Sequence, residues 1–265
     1  MKVHGVGDVH ERPVRYDVRY ADSPQHTIYI LLKDGFSMFT GFTEKTGAFL
    51  WELAFHNERP WFLAHKQEFE DCVNTPFKAL AADSIALMNE RFPDFEGAVH
   101  LSRIYRDARR LFGRGPYKDH LWFTAADNQA LRDGPAFWFE IGPAAYAIGM
   151  GFYTVTPAQM AAFRSGIDAN PSRFRRLAQG LARKGWTPSG EPYKRPKALH
   201  DDPLIDDWYN RRWVGAEKSF DWGAPAYSEE LTQVLIDAWA ELMPMYLYLL
   251  EVDHACPEEI GRSQY

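Results

Sequence analysis

Across residues 99–153 the chain breaks into short runs of aromatic, β-branched and bulky residues, separated by clusters of glycine and proline. Runs of that kind suit a pleated, half-buried surface, so this stretch reads as sheet. Strands are expected over 100–107, 120–125, 136–141 and 145–153, with Gly142 and Pro143 marking a tight connection. Short links of this kind favour antiparallel neighbours. Helical patterns flank the stretch on both sides. Thr43 is a helix start with Glu44 at the positive end of the dipole and Phe49, Leu50 and Leu53 as the apolar stripe. The pattern restarts at Pro60 with Trp61, Phe62, His65, Phe69, Val73 and Phe77, and Pro76 should interrupt or kink it before a stretch ending at Phe92. After the sheet, Thr156, Pro157 and Gln159 spell a capping box, and Asn170-Pro171 and Asp202-Pro203 repeat the proline device. Ser228 opens the last long helix. Helices, then strands, then helices predict an α+β fold with a central antiparallel sheet of about four to six strands, flanked by N-terminal and C-terminal helices.

With 265 residues, 46% of them apolar and 15% aromatic, the chain can build a sizeable core and lacks the signature of a disordered polypeptide. No apolar run is long enough to cross a bilayer, and residues 1–19 hold no apolar core of a signal peptide, so no membrane partner and a cytoplasmic location are expected. Residues 1–36, polar and carrying His4, His10 and His26, read as a loosely ordered extension to a single domain over 37–265. Cys72 and Cys256 cannot form a disulfide framework and read as core thiols.

A net charge of −6 conceals two basic islands. Residues 103–118 hold six arginines and lysines against the single acid Asp107, and residues 173–197 hold eight against Glu191 alone. Together they take 14 of the 30 basic residues and 2 of the 36 acids. In an extended segment Arg103, Tyr105 and Asp107 share one face and Ser102, Ile104 and Arg106 the other, so one arginine must point inward. A buried guanidinium needs a partner, either a carboxylate such as Glu140 or an anion supplied by a ligand. The loop beyond it contains Gly113, Gly115 and Pro116, where small residues let backbone amides approach an anion while arginines supply forked donors. The competing reading makes the arginines internal ion-pair partners, and the helical part of the second island a solvated face.

Several ordered segments resemble the bacterial "domain of unknown function 2461" family of conserved hypothetical proteins. They are His56-Asn57-Glu58-Arg59-Pro60-Trp61-Phe62, His65-Lys66, Arg103-Ile104-Tyr105-Arg106-Asp107-Ala108-Arg109, Pro116-Tyr117-Lys118, Gly149-Met150-Gly151-Phe152-Tyr153 and Tyr193-Lys194-Arg195-Pro196-Lys197. The resemblance runs over roughly residues 39–220; it implies one compact domain and marks the Arg/Tyr/Lys loop as a family feature. It supplies no reaction and transfers no catalytic residue. Arg110, Arg114 and Ala198 depart from the family's usual residues.

No metal-ligand spacing, nucleophile elbow, phosphate loop or dinucleotide fingerprint occurs, so neither metal nor cofactor is expected. Gly149-Met150-Gly151 reads as a close backbone contact within a strand. The candidate ligand-binding set is Arg103, Arg106, Asp107, Arg109, Tyr117 and Lys118, with Trp61, His65, Lys66 and Lys194 behind it. The leading expectation is a protein, enzymatic or not, that binds a small phosphate- or carboxylate-bearing ligand there. Nucleic-acid binding through both basic segments ranks second, and a structural role with internal Arg–carboxylate pairs third.

Overall fold

A computed structural model describes residues 38–256, apart from Ala108, Arg110, Phe112, Gly113, residues 128–133 and Tyr153. The expectations for residues 1–36, for Arg110 and Gly113, and for a strand end at Tyr153 lie outside the described residues. The fold is α+β: helices, then strands, then helices around one six-stranded antiparallel sheet.

Helix α1 (Glu44–Phe55) begins after Thr43 and buries Phe49, Leu50 and Leu53 as the apolar spacing requires. Helices α2 (Arg59–Ala64) and α3 (Lys66–Phe69) lead into a π turn over Glu70–Asn74, and α4 (Thr75–Arg91) follows. Pro76 sits in the first turn of α4, where its missing N–H is not needed. The interruption expected at this proline is the widened turn just before it.

Strands β1 (Gly97–Leu101), β2 (Leu121–Asp127), β3 (Pro135–Ile141) and β4 (Ala145–Phe152) form an antiparallel meander. Beyond it β6 (Gly215–Asp221) pairs with β4, and β5 (Thr187–Ser189) closes the edge, giving the order β1-β2-β3-β4-β6-β5. The first strand ends at Leu101 rather than running to 107. Ser102 leaves the regular ladder there, although its amide still donates to the Trp122 carbonyl and its Oγ accepts from the Trp122 amide at 2.9 Å.

The Thr156/Gln159 box forms as spelled and opens α5 (Pro157–Ala169): the Gln159 amide donates to Thr156 Oγ1 at 3.1 Å, and the Thr156 amide to Gln159 Oε1 at 2.8 Å. Asn170 caps α6 (Pro171–Arg183), and Asp202 caps α7 (Pro203–Tyr209). Helix α8 (Glu230–His254) starts one residue beyond Glu229, because Ser228 turns its hydroxyl back to the Pro225 carbonyl. It continues through Pro244 because Trp239, Leu242, Met245, Tyr246 and Leu249 are buried along it. That burial outweighs the roughly 3 kcal/mol an interior proline costs.

Period-two alternation gives the sheet two unlike faces. Phe123, Phe139 and Ile148 align across β2, β3 and β4 on one face, and none of them is exposed. Phe42, Phe77 and Trp239 meet the phenylalanines of that face. The opposite face aligns Trp122, Glu140, Ala147 and Ser219, and beside them Thr124, Trp138, Gly149 and Glu217. Apart from buried Gly149 these residues are half-buried or exposed. The indole of Trp138 occupies the space over Gly149, where an added Cβ would lie 2.3 Å from the ring. Gly149 is therefore a seat for an aromatic side chain as well as a close backbone contact.

Candidate functional site

After β1 the chain stays extended and meets the incoming segment at an isolated bridge between Tyr105 and Tyr117. Arg106 N donates to the Pro116 carbonyl and Lys118 N to the Ile104 carbonyl. Alternation persists here: Ile104 is buried and the Arg106 side chain largely so, while Arg103, Tyr105 and Asp107 are exposed. The loop is fastened from α1's far end by Asn57, whose side chain accepts from the Tyr117 amide and donates to the Tyr117 carbonyl, both at 2.9 Å. Gly115 is small for this reason, since a Cβ there would lie 2.2 Å from the Asn57 amide oxygen. The glycine admits a protein side chain, where the sequence suggested room for an anion.

The inward arginine is Arg106, and its partners are not Glu140. Its Nε donates to the Tyr117 carbonyl at 2.7 Å and its Nη2 to Asp119 at 3.3 Å. Glu140 lies two strands away and faces the Lys118 side. Asp107 and Arg109 pair with each other on the surface at 2.8 Å. Tyr117 is buried, its ring stacked on Phe62 at 4.2 Å, so it supports the loop from beneath rather than facing a ligand. Trp61 and His65 stack on one another at 4.2 Å, and Lys66 is exposed. Lys194 belongs to the second basic segment.

Arg103 and Lys118 remain. Neither makes an ion pair among the described residues. Lys118 is half-buried, its ammonium 5.8 Å from the centre of the Trp122 ring. Burial, reinforced by Arg106 and opposed by Glu140, holds the Lys118 pKa below its ordinary value. The His100 imidazole lies 5.6 Å from the Trp122 ring, and burial followed by the charges of Lys118 and Arg103 lowers its pKa. Its Nδ1 is buried with no hydrogen-bond partner.

Acidic groups complete the cluster. Burial raises the Glu140 pKa; His120 and Lys118 oppose the rise, and Glu217 and Asp119 add to it. Burial also raises Glu217, against Arg211. Asp119 goes the other way: burial would raise it, but the hydrogen bond with His120, a backbone amide and Arg106 together leave it lowered. The cluster sets an ammonium and a guanidinium, both donors to oxyanions, beside a carboxyl biased towards its neutral form. Among the described residues no group of three or more His, Cys, Asp or Glu side chains is arranged to hold a metal ion.

Sequence reasoning missed His100, Asp119, His120, Trp122, Trp138 and Glu217 as site residues. The available signal was the alternate-residue polar and aromatic set at 100, 122, 124, 138 and 140, which marks a sheet face not wholly buried.

These features define an α+β protein whose antiparallel sheet is packed by aromatic residues on one face and carries a charged, tryptophan-lined cluster on the other. A family model described as "Conserved hypothetical protein (DUF2461)" matches residues 45–248, from the start of α1 into α8, and the chain belongs to that family. No curated protein matches it.

Proposed function

We propose that the protein binds a small phosphate- or carboxylate-bearing ligand at the Arg103/Lys118 end of the tryptophan-lined sheet face. The observation behind this reading is Lys118: a half-buried ammonium beside Arg106 and Trp122, acting with Arg103 on His100, and without a carboxylate in ion-pair range among the described residues. Partly burying a cation among cations is costly, and a bound oxyanion offsets the cost. Trp122 offers an apolar surface beside the charge, and Arg106 positions the backbone that carries Lys118. Arg109 and Asp107, mutually neutralised, stand at the rim.

The experiment is calorimetric titration and thermal shift with inorganic phosphate, pyrophosphate, a nucleoside monophosphate and a dicarboxylate. Lys118→Gln and Arg103→Ala are the informative variants, because Arg106 is built into the loop and its removal would disturb folding. Binding by the parent chain, weakened at least about tenfold in either variant, supports the reading, a loss consistent with one charge-assisted hydrogen bond. If none of these probes binds, or the variants bind like the parent, the reading fails.

A further inference from the structure

The second basic segment divides into two parts. Along α6 Arg173 pairs with Glu251 at 2.7 Å, Arg175 with Asp202 at 2.9 Å and, just past the helix, Lys184 with Glu241 at 3.7 Å, while the exposed Arg176 and Arg183 make no ion pair among the described residues. In the following loop Lys194, Arg195 and Lys197 are all exposed, and none of them makes an ion pair among the described residues. The Tyr193 ring has Lys197 at 4.7 Å and Arg164 and Arg212 each at 5.6 Å from its centre. Arg164 is held by the Tyr209 and Arg211 carbonyls, and Arg212 pairs with the exposed Glu191 at 3.7 Å.

The loop is also fixed in shape. Asn210 accepts from the Tyr193 amide through its carbonyl at 2.8 Å and from the Lys197 amide through Oδ1 at 2.6 Å, so one residue holds both ends. Like charges are thus presented on a preorganised surface loop. An exposed cation contributes little per contact, too little to hold a small anion from water. A chain of phosphates meets several cations at once and gains from counterion release.

We infer that the 193–197 loop, with Arg164 and Arg212, binds the phosphodiester backbone of a nucleic-acid strand. Cations crowd the Tyr193 ring, so the contact is to backbone rather than to stacked bases and does not depend on base sequence. The site is separate from the Lys118 cluster.

Fluorescence anisotropy of labelled oligothymidylate and of a mixed-sequence strand, at several salt concentrations, tests this on the full chain. The expected result is binding to both strands at low salt, with a log–log salt slope near −3 if four phosphates are contacted at about 0.7 each. The combined Lys194→Ala, Arg195→Ala and Lys197→Ala substitution should cut affinity at least about tenfold and flatten the slope by about 2. All three side chains are exposed, so an unchanged circular dichroism melt is expected. Lys118→Gln should bind the strands like the parent, which separates this result from that of the small-ligand site. Absence of binding at low salt, unchanged binding by the triple variant, or binding of inorganic polyphosphate but not of oligonucleotide each overturns the inference.

Discussion

Asn57 and Tyr117, sixty residues apart, share two hydrogen bonds in which one side-chain amide satisfies both the N–H and the C=O of one residue. The Tyr117 carbonyl also accepts from Arg106, so the base of the Lys118 loop is a small network of side chain on backbone. Networks of this kind set a loop's conformation because leaving a buried backbone group unpaired is expensive.

Asn57→Ala is expected to destabilise the protein by about 1–3 kcal/mol, the cost of leaving such groups unsatisfied. Gly115→Ala should act in the same direction by pushing Asn57 out of place. Urea denaturation of both single variants and of the double variant checks this; clearly less than additive losses are expected, because both changes break one contact.

Gly149→Ala places a methyl group against the Trp138 indole and 2.6 Å from the Ala216 carbonyl. The expected penalty is about 1–3 kcal/mol, as for overpacking elsewhere. Displacement of the indole should also shift the tryptophan emission of the folded protein, which Trp138→Phe in the same background identifies.

His200 is clamped between carboxylates, with Nδ1 2.8 Å from Asp206 and Nε2 3.5 Å from Asp168, which also accepts from the Tyr209 hydroxyl at 3.1 Å. The hydrogen bond with Asp206 leads the causes that raise its pKa above the ordinary 6.5. A raised folded-state value means that the imidazolium's contribution is fully present below the unfolded-state pKa and is lost as pH rises through the folded one. The stability lost in His200→Gln should therefore be larger at about pH 5.5 than at about pH 8.5. Equal losses at both pH values in chemical denaturation would contradict a charge-dependent clamp.

Cys72 donates its thiol to the Glu68 carbonyl at 2.8 Å, and burial, followed by the charge of Glu68, pushes its pKa up to about 11. At pH 8 only about one thiol in a thousand is ionised, so an aromatic disulfide reagent should label Cys72 only after unfolding. Stopped-flow labelling with and without denaturant, on a Cys256→Ser background, reads this directly.

The helix starts at Thr156, Asn170 and Asp202 were legible in the sequence because their partners lie within one turn. Thr156 and Gln159 satisfy each other across three residues, and Asn170 caps the Arg173 amide in the same way. The meander was legible too, from alternating bulky residues between turn signals. Strand β6 was not: Glu217, Lys218 and Asp221 give it the look of a loop, and its pairing with β4 depends on a partner some seventy residues away. Strand β5 is three residues long with a central proline, below any pattern threshold.

The chain's own order of residues determined its local elements, the period of its sheet and the total of positive charge in each basic segment. Apart from the local Asp107–Arg109 pair, tertiary structure decided which of those charges are neutralised. Arg106 meets Asp119 and Arg173 meets Glu251 across 13 and 78 residues, whereas Lys118 and Lys197 are brought beside aromatic rings with no acid in ion-pair range. A hydrogen bond three residues long is set by neighbours on the chain. An ion pair between distant segments exists only once packing of the apolar face has brought them together.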